Sequence, residues 1–299
     1  RGLRRPRSGG VKPPAPLSWP GIVRLGLVQT ALGSIVVLAT STMNRVMVVE
    51  LALPALLPGL LVGLHYAIQL LRPRLGHGSD VGGRRTPWIV GGMAVLAAGG
   101  LLAALATAWM ATDRAAGLVL AVFAFGLVGL GVSAAGTSLL VLLAKRVPEG
   151  RRAGAATLVW MMMILGFAVT AGITGRLIDP FSPERLVTVS ACVSALAFLV
   201  TLLVLRGLEG PAQTIQSNGP GREPEPKPAF RQALAQIWDE PVARRFTVFV
   251  FVSMIAFSAQ DLILEPFAGT VFGFTPGEST RLSGVQNAGV LCGMLLVAA

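Results

Sequence analysis

The chain has 299 residues, 53% of them hydrophobic and only 13% charged, with a mean hydropathy of +0.70. Soluble globular domains carry roughly 25% charged residues, so this chain has too few polar groups to cover a water-exposed surface. The composition excludes a soluble enzyme, a nucleic-acid-binding domain and a disordered chain, and it predicts an integral membrane protein, with the net charge of +11 left to be explained by topology.

A bilayer-spanning helix needs about 20 mostly apolar residues. After a basic tail over residues 1–24, such runs are expected at Leu25–Val49, Ala55–Leu71, Trp88–Ala111, Ala115–Ala144, Ala155–Ile178, Leu186–Leu205, Phe246–Glu265 and Leu282–Ala299. Their length and the lack of strict alternation predict helices rather than barrel strands. The first run is too long, and no small-residue cleavage site follows it, so a retained helix is expected rather than a signal peptide. Its outer part carries Asn44, Arg45 and Glu50. A charge at mid-bilayer costs at least ~2.5–3.5 kcal/mol, so such residues face a partner or a wet cavity. The second run holds a polar patch of His65, Tyr66 and Gln69; the imidazole either bonds a neighbouring helix or could ligate the magnesium of a tetrapyrrole.

Between the second and third runs, Gly76-His77-Gly78-Ser79-Asp80-Val81-Gly82-Gly83-Arg84-Arg85 resembles the G-x-x-x-D-x-x-G-R-R signature of the major facilitator superfamily, with Val81 departing from its usual basic residue. The resemblance implies a conformational latch built on Gly76, Asp80, Gly83, Arg84 and Arg85. The glycines allow a tight turn, and Asp80 can accept charge-assisted hydrogen bonds. The competing reading is a basic loop with an incidental Asp. Gly126, Gly129, Gly131, Ser133 and Gly136 in the fourth run allow close helix approach. Trp160-Met161-Met162-Met163 in the fifth offers a soft apolar surface, facing either lipid or a bulky greasy partner.

Residues 207–242, rich in Pro, Gly and charge, read as a linker closing a six-helix unit (25–206), and Phe230–Trp238 could form a short interfacial helix. The unit after it (243–299) brings Gln260, Asp261 and Glu265 in the seventh run, and Gln286 and Asn287 in the eighth. Asp261 and Glu265 share a helix face and need a common partner. Arg45 is the only basic residue within a span, so an Arg45–Asp261 (or Glu265) pair across the two units is expected. Glu50 and Glu265 either join that interior or reach the outer headgroups.

Arg114, Arg176, Arg185 and Arg281 lie in loops after odd-numbered runs; apart from Arg45, every other Lys and Arg of the 25 lies on the opposite side. The positive-inside rule therefore predicts a cytoplasmic N-terminus and accounts for the net charge without nucleic acid. Leu61-x-Gly63-Leu64-His65-Tyr66-Ala67 aligns with Leu282-x-Gly284-Val285-Gln286-Asn287-Ala288, and Asn44-Arg45-x4-Glu50 with Gln260-Asp261-x3-Glu265. Two repeats in the same order suit parallel halves of a duplicated transporter fold. The chain begins without Met and ends within an apolar run, so it reads as a fragment about four C-terminal spans short of symmetry.

With two histidines, one in a span and one in the loop after it, no Ser-His-Asp arrangement or His-rich metal site can be assembled, no P-loop occurs, and neither cysteine suggests a disulfide framework. Not an enzyme, then, but a binding protein or a carrier.

The stretches Leu38–Leu51, Gly63–Gln69, Gly76–Trp88, Gly136–Leu140, Trp160–Gly166 and Phe249–Gly273 resemble the PucC/LhaA family of phototrophic bacteria, a branch of the major facilitator superfamily. The resemblance implies an all-α membrane bundle of major facilitator type in the inner, intracytoplasmic photosynthetic membrane. It also implies a role in light-harvesting complex assembly, with bacteriochlorophyll as cargo and antenna polypeptides as partners beside membrane lipid. The alternative is a proton-coupled secondary transporter of a small solute, using Asp261 or Glu265.

Overall fold

The computed structural model describes residues 16–72, 75, 84–209 and 238–298. Within them run α1 (Trp19–Glu50), α2 (Leu56–Leu71), α3 (Thr86–Trp109), α4 (Arg114–Arg146), α5 (Glu149–Ile178), α6 (Pro183–Leu205), α7 (Pro241–Phe272) and α8 (Pro276–Ala298). Neither strand nor bridge occurs among the described residues. This is an all-α membrane bundle, the only architecture besides a closed barrel that satisfies every backbone group in hydrocarbon. Among the described residues six helices are long and apolar enough to cross a bilayer. The exceptions are α2, a 13-residue α-helix continued by a 3-residue 3-10 turn, and α8, whose Ser279, Thr280, Ser283, Gln286 and Asn287 make it more polar.

Helix ends sit where local chemistry puts them. Asp113 accepts from the N–H groups of Ala115 and Ala116, both at 3.0 Å, and starts α4. Ser182 accepts from Arg185 N at 3.1 Å ahead of Pro183, starting α6. Thr275 and Glu278 form a reciprocal capping box at the head of α8, at 2.9 and 3.2 Å. Gly273, at φ +68°, ends α7 in the left-handed conformation that glycine adopts without steric cost. Helix α1 begins at Trp19, six residues before the apolar run, with Pro20 in its first turn; Arg24 of this extension reaches the α6 terminus and donates to Val204 O at 2.8 Å.

Small residues set the packing. Helices α3 and α4 cross so closely that a Cβ on Gly92 would lie 2.5 Å from Ala135 N, and one on Gly131 2.5 Å from Leu96 N. One core cluster joins α1, α3, α4, α5 and α6 around Leu25, Ile35, Met93, Leu96 and Leu139. A second, built on Met43, Met47, Leu61 and Phe125, lies toward the C-terminal end of α1. Helices α7 and α8 attach to this six-helix unit mainly along α5 and the last turns of α1, whereas Phe246, Phe249 and Phe251 of α7 stay exposed. Residues 210–237, with most of the expected Phe230–Trp238 helix, lie outside the described residues, as do Gly76, Asp80 and Gly83 of the latch motif.

Candidate functional site: an intramembrane polar network

Helix α1 widens into π turns at Leu38–Thr42 and Val46–Glu50, on either side of Asn44 and Arg45. Such turns are rare and recur at functional sites. The second one brings residues five apart onto one face, and Arg45 uses it: its Nη1 pairs with Glu50 Oε1 while its Nη2 donates to the carbonyl of Phe274 beyond α7. Arg45 is 1% exposed. Its guanidinium lies over Gly269 of α7, where a Cβ would stand 3.1 Å from Nη2 and 3.2 Å from Nε.

The expected Arg45–Asp261 or Arg45–Glu265 salt bridge is therefore replaced by Arg45–Glu50. Register explains it. Gly269 is eight residues beyond Asp261 and four beyond Glu265, or about 12 and 6 Å along the helix axis at ~1.5 Å per residue. The two α7 carboxylates turn to α8 instead. Asp261 accepts from Gln286 Nε2 at 3.2 Å. Glu265, wholly buried, accepts from Ser283 Oγ at 2.6 Å and Thr280 Oγ1 at 3.3 Å. Thr280 Oγ1 also lies 3.2 Å from Thr42 Oγ1 of α1, and Asn44 Nδ2 donates to Leu262 O at 2.8 Å. Asn287 Nδ2 bonds back to Ser283 O at 2.9 Å within its own helix. The network thus joins α1, α7 and α8, without His65 and Gln69 of α2, through hydroxyls, the amides of Asn44 and Gln286 and a carbonyl rather than a cross-unit ion pair.

Other expectations are corrected. Gln260 is exposed, pointing away from the network; consecutive helical residues lie about 100° apart, and Asp261 takes the inward direction. His65 is 1% exposed, its Nε2 lies 2.9 Å from Gln69 Nε2, and its Nδ1 is buried without a hydrogen-bond partner. Neither nitrogen is presented to a cleft, so axial ligation of a pigment magnesium has no open geometry here. Of that patch it is Tyr66, 46% exposed, that points across to Ser258 and Asp261 of α7. Of the Trp160–Met163 stretch, Trp160 is exposed and Met163 buried against Gln29 Nε2 at 3.2 Å.

Thr42, Thr280, Ser283 and Gly269 were not singled out from the sequence; the signal was the hydroxyls at 280 and 283, helical neighbours of Asn287 on one face of α8. Asp179 was missed too. From the α5–α6 turn it accepts from Gly277 N and Thr275 Oγ1, both at 3.1 Å, capping α8. A Cβ on Gly277 would lie 2.1 Å from Asp179 Oδ2 and 2.2 Å from Gly175 O. Arg45, Glu50, Asp179, Gly269 and Phe274 line a cleft of about 590 Å³ at this end of the bundle.

At the arginine-rich end, Arg85 N and Thr86 N donate to the Glu209 carboxylate, the latter at 2.7 Å, and Arg146 Nη1 donates to Glu209 O. Burial alone would raise the Glu209 pKa. The hydrogen bonds from Thr86 and Arg85, with the Arg84 charge, outweigh it and hold the carboxyl below its usual range. Arg84 and Arg85 of the latch motif thus stand at a clasp between the head of α3 and the end of α6.

A profile of the family described as PUCC protein matches residues 42–299. The chain is 52% identical over 281 residues to a Rhodobacter capsulatus protein named "Bacteriochlorophyll synthase 44.5 kDa chain", covering 94% of this chain and 64% of that one. It is 30% identical over 290 residues to an uncharacterized protein of the puhA-bchM intergenic region of Rhodobacter capsulatus, covering 92% and 59%. Protein PucC of Cereibacter sphaeroides is 28% identical over 291 residues, covering 92% and 61%. The chain therefore spans about three-fifths of the length of these curated relatives. With helices of this kind, the polar motifs at their places and the profile matching from Thr42 to the last residue, the chain belongs to the PucC family.

Proposed function

We propose that this protein is a light-harvesting complex assembly factor of major facilitator architecture, a multi-pass protein of the inner, intracytoplasmic photosynthetic membrane with its N-terminus in the cytoplasm. It binds or delivers bacteriochlorophyll, chaperones antenna polypeptides, or does both, as a binding protein rather than an enzyme. The observation that carries the reading is the placing of Tyr66, Asp261 and Gln286 where α2 faces the α7–α8 pair, next to the uncovered aromatic face of α7. A tetrapyrrole with a long apolar tail calls for this mixture: a few polar anchors and a wide apolar flank open to the membrane. Its magnesium is a hard cation that accepts oxygen ligands, and Tyr66 and Asp261 offer oxygens between α2 and α7 whereas His65 is enclosed. The name of one relative, a bacteriochlorophyll synthase chain, supports a pigment-linked role.

The test is purification of the full chain in mild detergent from phototrophic cells. Bacteriochlorophyll absorbance or a co-purified antenna polypeptide is expected, reduced in Tyr66→Phe and Asp261→Asn. A second reading, proton-coupled transport of a small solute, is favoured by the enclosed Glu265 among Ser283 and Thr280 hydroxyls. Pigment-free protein whose uncoupler-sensitive solute uptake in liposomes is lost in Glu265→Gln would replace the first reading with the second.

A further inference from the structure

His65, Gln69 and Arg72 follow one another at helical spacing along one face of α2 and its end. They form a chain. Arg72 Nη2 donates to Gln69 Oε1, and Gln69 Nε2 lies 2.9 Å from His65 Nε2. Arginine carries donors only, so Arg72 fixes which end of the amide turns toward it, and the –NH2 end is left to donate to His65 Nε2. The imidazole proton then sits on Nδ1, which is buried and has no partner among the described residues. An unpaired buried N–H is costly, so something besides the number of hydrogen bonds keeps this ring where it is. Two contacts show what. The backbone of His65 is clamped to α4, where a Cβ on Gly129 would lie 2.6 Å from the His65 carbonyl oxygen. Its ring meets that of Tyr66, with centroids 4.9 Å apart and planes at 61°. Consecutive helical side chains point about 100° apart, so this contact requires both rings to turn toward each other. Tyr66 is half-exposed, and its phenol faces Ser258 and Asp261 of α7 rather than lying along α2.

We propose that His65 is a positioning residue for Tyr66, its ring plane set by the Arg72–Gln69 pair, so that an exposed arginine at the end of α2 aims a phenol at the α2–α7 boundary. The role deepens, and rests on, the reading of Tyr66 as an anchor for the cargo. The imidazole acts as a plate and not as a ligand or a base, since Gln69 occupies one nitrogen and burial encloses the other. Edge-to-face geometry then favours one phenol direction over the rest. Arg72 stands six residues from Tyr66, about 120° round the helix, so its influence passes through Gln69 and His65 instead of by direct contact.

Tyr66 is the only tyrosine in the chain, which makes the test direct. The full chain, isotope-labelled at tyrosine Cζ, is purified in detergent micelles without pigment and its single NMR resonance is recorded. The wild type is expected to give one sharp line displaced from that of free tyrosine. Gln69→Leu removes both hydrogen bonds and should broaden the line and move it toward the free position. Gln69→Glu accepts from Arg72 and, through the other imidazole tautomer, from His65, so it should restore the wild-type line. Arg72→Met should move the line in the same direction as Gln69→Leu. An unchanged line in Gln69→Leu or in Arg72→Met, or Gln69→Glu behaving as Gln69→Leu does, overturns the proposal. Bacteriochlorophyll retained on purification should fall in Gln69→Leu and return in Gln69→Glu. Pigment retention indifferent to Gln69, with the tyrosine line moving as stated, counts against the pigment reading and leaves the positioning role standing.

Discussion

Removing the Glu209 carboxylate is the sharpest perturbation of the arginine-rich end. In the wild type it satisfies two of the backbone N–H groups that begin α3, those of Arg85 and Thr86, and brings negative charge to a helix N-terminus. Glu209→Ala leaves both donors to water or to nothing. At about 1 kcal/mol per hydrogen bond, and with the site only partly buried, the expected loss is about 1–2 kcal/mol at neutral pH, while Glu209→Gln should recover roughly half. Because the folded carboxyl titrates below its ordinary value, about 4.3, this stabilisation is fully present above that value. It disappears as the pH falls through the lower folded pKa. Equilibrium unfolding of the purified chain in mixed micelles at pH 7 and at pH 3.5 measures the difference. Amide exchange at Arg85 and Thr86 reports the local opening. Unchanged stability at pH 7 with unchanged protection at those two amides would refute the assigned role; so would a deficit that stays constant down to pH 3.

Three further outcomes follow from the polar network and its supports. Gly277→Ala places a Cβ against Asp179 Oδ2 and Gly175 O, so the α5–α8 crossing must separate; a loss of about 2–3 kcal/mol in thermal or denaturant unfolding is expected. Ser283→Ala removes the 2.6 Å donor to Glu265 and should cost about 1–3 kcal/mol, with Ser283→Thr recovering part of it. Gly269→Ala places a Cβ 2.8 Å from Val49 Cγ2 and 3.1 Å from Arg45 Nη2, so both side chains must shift away from α7. It should loosen the α1–α7 contact, read as faster amide exchange around Phe274, at about 1–2 kcal/mol.

Much of the architecture could be read in the amino-acid order. Apolar runs separated by charge leave helices as the only economical solution in hydrocarbon, and each expected run became a helix, with ends displaced by a few residues where caps outside the apolar segment set them. Pro241 starts α7 five residues ahead of its apolar run, and the box of Thr275 and Glu278 starts α8 ahead of Leu282. The polar residues buried in spans were also legible, since their cost marks them out one by one. Their partners were not. Arg45 and Asp261 look complementary on paper, but the π turns of α1 bring Glu50 round to the guanidinium and the register of α7 offers it a glycine instead. The two repeated motifs illustrate the same gap: Arg45 and Glu50 bond each other, whereas their counterparts Asp261 and Glu265 each bond α8.

Composition and periodicity thus determined the class, the helices and the inventory of costly groups, because those follow from the transfer of each residue into lipid. Which groups meet was decided by helix register, by turns one residue wider than usual, and by glycines whose missing side chains let a guanidinium, a carboxylate or a backbone come close. Those are distances between segments far apart in the chain, and only the folded bundle sets them.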